Sequence, residues 1–204
     1  MARIMIIGAS GTIGRAVADR LEKSHSLIRV GNRQGDYTVD LGSKASIESL
    51  FEKTGACDHV ICAAGLSRFA ALGEATDEDF TVSLDNKLMG QVNLVRIAHD
   101  HIPAKGSITL TTGVLARDPM PGTVPTAMVN AGLEGFVRAA ALDLVDSIRI
   151  NAVSPIFVTS TARRMGMPTA GTMSAADTAN AYEAAVSGDM TGKVLDVRNF
   201  GTVE

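Results

Sequence analysis

Ile4-Met5-Ile6-Ile7-Gly8-Ala9-Ser10-Gly11-Thr12-Ile13-Gly14 is the stretch on which the fold turns. An unbroken apolar run closed by glycine reads as a strand buried on both faces. Glycines then recur as G-x-x-G-x-x-G, and Thr12–Lys23 continues as a helix with Ile13, Val17 and Leu21 along one face. Strand, glycine turn and helix in that order open a dinucleotide-binding βαβ unit. Glycine permits the sharp turn and the close approach of a pyrophosphate. The free N–H groups and dipole of the helix N-terminus favour its negative charge. Gly8, Ser10, Gly11, Thr12, Ile13 and Gly14 are therefore expected to form a cofactor loop.

Outward from this unit, short β-rich runs alternate with longer helical ones. Leu27–Val30, Val60–Ala63, Ser107–Thr111, Ile148–Val153 and Val194–Val197 read as strands. Between them, Ser43–Lys53 carries Ile47, Leu50 and Phe51 inward. Asp77–His101 repeats apolar contacts through Leu84, Leu88, Val92, Val95 and His99. Pro125–Val145 is alanine-rich, and Ser174–Ser187 opens on a capping-box-like Ser174 and Asp177. The alternation predicts an α/β chain: a single doubly wound Rossmann domain over residues 1–204, with about seven parallel strands and helices on both faces.

Composition narrows the function classes. The 204 residues suffice for one such domain but not for a second, substrate-binding one. A net charge of −3 and 4% aromatic residues without tryptophan argue against a nucleic-acid partner. The first apolar run is too short for a signal segment or membrane span, so a cytoplasmic protein with no membrane partner is expected. The two cysteines, Cys57 and Cys62, flank His59 without the further ligands a zinc site needs, so no metal is expected.

The second strand is followed by Gly31-Asn32-Arg33, with no acid before Asp36. A carboxylate there would bond a ribose 2′-hydroxyl, whereas Arg33 with Asn32 fits a 2′-phosphate through a fork of N–H donors. The pattern favours NADP(H), and NAD(H) stays admissible. Thr111 and Thr112 end a strand at the edge of the sheet where such folds place ligands, and a hydroxyl there can polarise a carbonyl. The loop bearing Met165, Met167 and Met173 reads as a lid over an apolar ligand or as a poorly ordered loop.

These residues together resemble the short-chain dehydrogenase/reductase family over nearly the whole chain. Asp40-Leu41 is similar to the family's pair that holds the adenine. Ala63-Ala64-Gly65 resembles its Asn-Ala-Gly motif with the leading asparagine lost. Asn86 matches the helix asparagine that organises an active-site water. Ile148–Pro155 resembles the strand before the nicotinamide loop, with Pro155 and Val158 in that loop and Thr159 matching the residue that bonds the carboxamide. The resemblance implies a nicotinamide-dependent enzyme acting on a small carbonyl compound. It also implies a homodimer or homotetramer paired through the Asp85–Ile102 and Pro125–Val145 helices.

The centre of that resemblance is missing. The family's tyrosine protonates the carbonyl oxygen, and a lysine four residues on lowers its pKa and holds the ribose. Thr126 and Asn130 stand in those places, and Gly113 stands where the family has serine. A threonine hydroxyl titrates far above a phenol, and asparagine carries no charge to activate it. Both can still bond a ribose or ligand oxygen, and Thr126 beside Pro125 equally suits a helix start. Two readings follow. One is an oxidoreductase with an altered proton path through a water held by Asn86 or through Thr112 and Thr126, reducing a carbonyl or enone. The other is an NADP(H)-binding redox sensor or assembly module without turnover.

Overall fold

The computed structural model describes Met1 through Glu204. Seven strands pair in parallel in one sheet: β1 (Arg3–Ile7), β2 (Ser26–Gly31), β3 (Tyr37–Thr38), β4 (His59–Cys62), β5 (Ser107–Thr111), β6 (Arg149–Ser154) and β7 (Val194–Asp196), in the order β3-β2-β1-β4-β5-β6-β7. The chain winds outward from β1 to β3, then returns to place β4 on the other flank of β1. That reversal opens a crevice at the carboxyl ends of β1 and β4, where such sheets bind ligands.

Helices cover both faces. On one, α2 (Lys44–Thr54), α4 (Gly90–Ala98) and α5 (Val124–Asp143) bury Phe51, Leu94, Leu133 and Val137 against Met5, Val60, Ile108 and Ile150. On the other, α1 (Thr12–Leu21) and α7 (Ala175–Ser187) bury Val17, Leu21 and Tyr182 against Ile4, Ile6 and Ile61. Alternate residues of β1 thus feed the two cores, and its sequence is apolar throughout for that reason. A further helix, α3 (Asp77–Ser83), starts at a reciprocal capping box between Thr76 and Asp79, and α6 (Thr159–Arg164) follows the loop after β6.

Three expectations need correction. The two-residue β3, paired to Val30 and Gly31 of β2, is too short to carry a periodic signal. The brief α6 lies in a stretch that reads as loop. Asp77–His101 is also not one regular helix: a π-helical turn, Leu84–Met89, separates α3 from α4. A π turn holds an extra residue, so the buried face downstream rotates. It falls on Gln91, Leu94, Val95 and Ala98, not on Val92 and His99.

Candidate functional site

At the end of β1 the chain turns through Gly8, whose φ of +87° suits glycine, and a Cβ there would lie 2.9 Å from the Ala63 carbonyl. A Cβ on Gly14 would overlap the Gly8 carbonyl, so α1 packs on the turn only because both lack side chains. The N-cap of α1 is Gly11, no side chain caps the first-turn N–H groups, and no acid stands in that turn. This bare, electropositive helix end fits a pyrophosphate.

Two cavities meet over the crevice. The smaller, about 280 Å³, is bounded by Gly8, Gly31, Asn32, Leu41, Leu66 and Asn86. Arg33, next to Asn32, is exposed and takes part in no ion pair. Asp36 is turned back to accept from Arg29 N at 2.8 Å, and Asp40 accepts from Gly42 N at 2.9 Å. No carboxylate therefore lines this cavity. The larger, about 470 Å³, shares Ala64 and Gly65 with it and is walled by Ile13, Phe69, Leu115, Ile156, Phe157 and Val158.

The polar groups of the larger cavity are mostly spoken for. Thr111 Oγ1 donates to Cys62 O at 2.6 Å, so Tyr182 Oη, 2.7 Å away, must donate to Thr111. Gln91, fully buried, clips Thr111 from the other side, accepting from its N–H and donating to its carbonyl, both at 3.0 Å. Thr112 Oγ1 donates to Asn130 O at 3.0 Å. Thr126 Oγ1 donates to Arg68 O at 2.8 Å and lies 3.0 Å from Ser67 Oγ, tying α5 to the loop after β4. Asn130 is buried, and its Oδ1 has no partner.

Lys87 enters this cavity from the π turn. Its Nζ donates to Thr112 O at 3.3 Å, and its Cγ passes 3.0 Å from where a Cβ on Gly65 would stand. No carboxylate lies within ion-pair reach. Burial without a counter-charge pulls its pKa down from 10.5 to about 8. The neighbouring Cys62 thiol, also buried, is pushed up to about 12 and stays neutral.

Residues 4–193 match a family model described as enoyl-(acyl carrier protein) reductase. The chain belongs to the short-chain dehydrogenase/reductase family. Members of this family use a nicotinamide cofactor. The chain is 30% identical over 160 residues to hydroxynaphthalene reductase arp2 of Aspergillus fumigatus, an alignment covering 75% of this chain and 59% of that protein. Among solved structures, protein lin1944 of Listeria innocua is 38% identical with a TM-score of 0.92, over 97% of this chain and all of that one. A small-chain dehydrogenase in complex with NADPH is 27% identical with a TM-score of 0.84, over 95% of each chain.

Within this short-chain dehydrogenase/reductase frame, the structure brings most of the expected residues together. Gly8, Asn32, Leu41, Ala64 and Gly65 meet at the smaller cavity. Thr12, Ile13, Ala63, Thr111, Thr112, Thr126, Asn130, Pro155 and Val158 meet at the larger. Ser10 is exposed beside Gly31, and Gly11 caps α1. Asp40 and Arg33 line neither cavity. Three placements differ from expectation. Asn86, its Oδ1 accepting from Leu66 N at 2.7 Å, faces the smaller cavity and is parted from Thr112 and Thr126. Thr159 spends its hydroxyl on Thr172 and Glu204, at 2.9 and 3.0 Å, leaving Val158 and Thr161 to line the wall. Met173 is buried in the same apolar core as Tyr182, and neither Met165 nor Met167 reaches the cavity. Lys87 escapes a reading of the sequence that follows apolar residues alone, although it precedes Gln91 and Leu94 by four and seven residues on one helical stripe. Two polar side chains four apart on a buried stripe are the available signal.

Proposed function

We propose that this chain is an NADP(H)-dependent oxidoreductase that acts on a small carbonyl or enone compound without a tyrosine. The observation that carries the reading is the joined pair of cavities. A glycine-edged cradle free of acids leads from Asn32 through Gly65 into a chamber of mixed apolar and polar lining large enough for a nicotinamide and a small substrate. The NADPH complex of a relative supports the cofactor class.

Gly8, Gly11 and the N-terminus of α1 would hold the pyrophosphate, Leu41 and Val39 the adenine, and Arg33 with Asn32 the 2′-phosphate. Pro155 and Val158 would support the nicotinamide face. When bound, that ring supplies or accepts a hydride. Phe69 and Phe157, their ring centroids 6.4 Å apart, stand at the chamber and would keep water from the reacting carbon. The protein is read as cytoplasmic and as a homodimer or homotetramer.

One observation favours the second reading, a cofactor-binding sensor without turnover. Thr111, Thr112 and Thr126 all direct their protons to backbone carbonyls, and Tyr182 is buried outside the chamber. Calorimetry with NADPH and NADH, followed by a panel of ketones, aldehydes and enones, separates the two. Oxidation of bound NADPH by any panel member supports the enzyme. Tight NADPH binding with no turnover supports the sensor, and failure to bind either nucleotide removes both.

A further inference from the structure

We infer that Lys87 is the proton donor of the reduction, delivering a proton from Nζ to the substrate's oxygen in the chamber between Gly65, Thr112 and Asn130. This inference rests on the oxidoreductase reading and names the group which that reading leaves open.

Elimination and placement both single out this amine. The chamber contains no carboxylate, imidazole, phenol or thiol. Arg164, on its α6 wall, does not release a proton. The hydroxyls of Thr111, Thr112 and Thr126 already point theirs at carbonyls. Thr12, Ser67 and Thr161 would have to become alkoxides, which lie far outside the neutral range. Lys87 alone of the lining groups exchanges a proton near neutral pH. Only one of its three N–H bonds is engaged, and weakly, by Thr112 O at 3.3 Å.

A half-buried, desolvated ammonium without a carboxylate is costly, and a leucine or methionine would fill the same space more cheaply. Such a cost is commonly borne where chemistry needs the group. The charged and titratable groups facing it from other elements are few. Cys62 on β4 is a neutral thiol, Arg164 lies across the chamber, and β5 and α5 present only Thr111, Thr112, Thr126 and Asn130. Its lowered pKa therefore follows from burial, not from a partner that occupation of the site would displace.

The step balances simply. As a hydride reaches the carbonyl carbon, the C=O π pair moves onto oxygen and takes a proton from the Lys87 ammonium. The neutral amine left behind recovers a proton from water at the chamber mouth. For an enone, the hydride adds at the β-carbon and the same proton goes to the enolate oxygen. In the reverse direction the amine accepts the alcohol proton.

The test joins a reading of the residue itself to one of turnover. Wild-type protein is labelled with acetic anhydride across pH 6–11, and the peptide carrying Lys87 is quantified by mass spectrometry. The expected midpoint is about 8, against the ordinary lysine value of 10.5, with protection when NADPH and a substrate analogue are present. Lys87→Met and Lys87→Arg should melt cooperatively and hold NADPH within a few-fold of wild type. Both should lose roughly 10²–10⁴-fold in single-turnover hydride transfer. Wild-type reduction should fall as pH rises through about 8, and alcohol oxidation should rise over the same range. A labelling midpoint near 10.5, or Lys87→Arg turning over within threefold of wild type, overturns the inference while leaving the oxidoreductase reading intact. A wild type that binds NADPH but reduces nothing removes that reading and this inference with it. Should both variants fail to fold, the labelling midpoint and the opposed pH profiles of the wild type decide.

Discussion

The side-chain amide of Asn130 occupies the space that a side chain at position 113 would need: its Nδ2 stands 2.8 Å from where a Cβ on Gly113 would be. The two positions are therefore sterically coupled. Gly113 has φ 167°, an extended backbone open to any residue, so the constraint is steric and local.

Gly113→Ala should accordingly destabilise the wild type by about 1–2 kcal/mol, the cost of modest overpacking. In an Asn130→Ala background the same change should cost little, giving a coupling energy of similar size in a double-mutant cycle read by urea unfolding. Equal cost in both backgrounds would show that the amide is not what the methyl meets.

Arg33 is exposed and unpaired beside the acid-free cavity, free to fork onto a phosphate. Arg33→Ala should weaken NADPH binding by roughly ten- to a hundredfold, or about 1.5–3 kcal/mol, and leave NADH nearly unchanged. Calorimetry on both nucleotides checks this. A wild type that binds the two equally would show that Arg33 reads no 2′-phosphate.

The glycine turn carries a packing demand besides the cofactor role proposed for it. Gly14→Ala places a methyl into the Gly8 carbonyl and should cost more than about 2 kcal/mol, because backbone rather than a mobile side chain must yield. Gly73→Ala, with nothing within 4 Å of its Cβ, is the matched control and should be close to neutral in chemical denaturation.

Tyr182 is the phenol nearest the chamber in the fold, yet it is fully buried and donates to Thr111 Oγ1 behind the wall. Burial drives its pKa well above the ordinary value, the opposite of what a proton-transferring tyrosine needs. Tyr182→Phe should lower stability by about 1 kcal/mol through the lost hydrogen bond and leave NADPH affinity unchanged. A large loss of turnover in this variant at full folding would place the phenol in the chemistry.

The sheet is legible in the chain because β1 and β4 are apolar on both faces, because Ile108 and Leu110 alternate with Ser107, Thr109 and Thr111 along β5, and because glycines mark the turn at Gly8 and Gly14. Strand β3 is hidden because two residues carry no period. The site is legible where backbone shape defines it, as at Gly8, Gly11, Gly65 and Pro155. It is obscure where one side chain's direction decides its role. Asn86 and Lys87 are adjacent, yet Asn86 lines the smaller cavity and Lys87 the larger, and neither lies on the apolar positions Leu84 and Leu88 that a reading of the sequence follows. Likewise Thr126 and Thr159 are hydroxyls in plausible places whose protons the tertiary structure has claimed.

Lys87 also has a consequence for stability that is independent of any reaction. Its folded-state pKa is lowered from 10.5 to about 8, so the unfolded chain binds more protons between those values. Stability should therefore rise as pH increases from about 8 to 10.5. Below about 8 the lysine is charged in both states, and the folded protein bears the full desolvation penalty. A tenfold weaker hold on the proton corresponds to about 1.4 kcal/mol, so that penalty is at most about 3.5 kcal/mol. Lys87→Met keeps the volume and removes the charge. At pH 7 it should raise stability by about 1–3 kcal/mol, and the gain should shrink toward zero by pH 10.5. Urea unfolding of both proteins at pH 7, 8.5 and 10 measures the difference directly. A gain that stays constant across this range would mean that the amine is solvated and titrates as an ordinary surface lysine. A loss at pH 7 would mean that its bond to Thr112 O outweighs the cost of burying the charge.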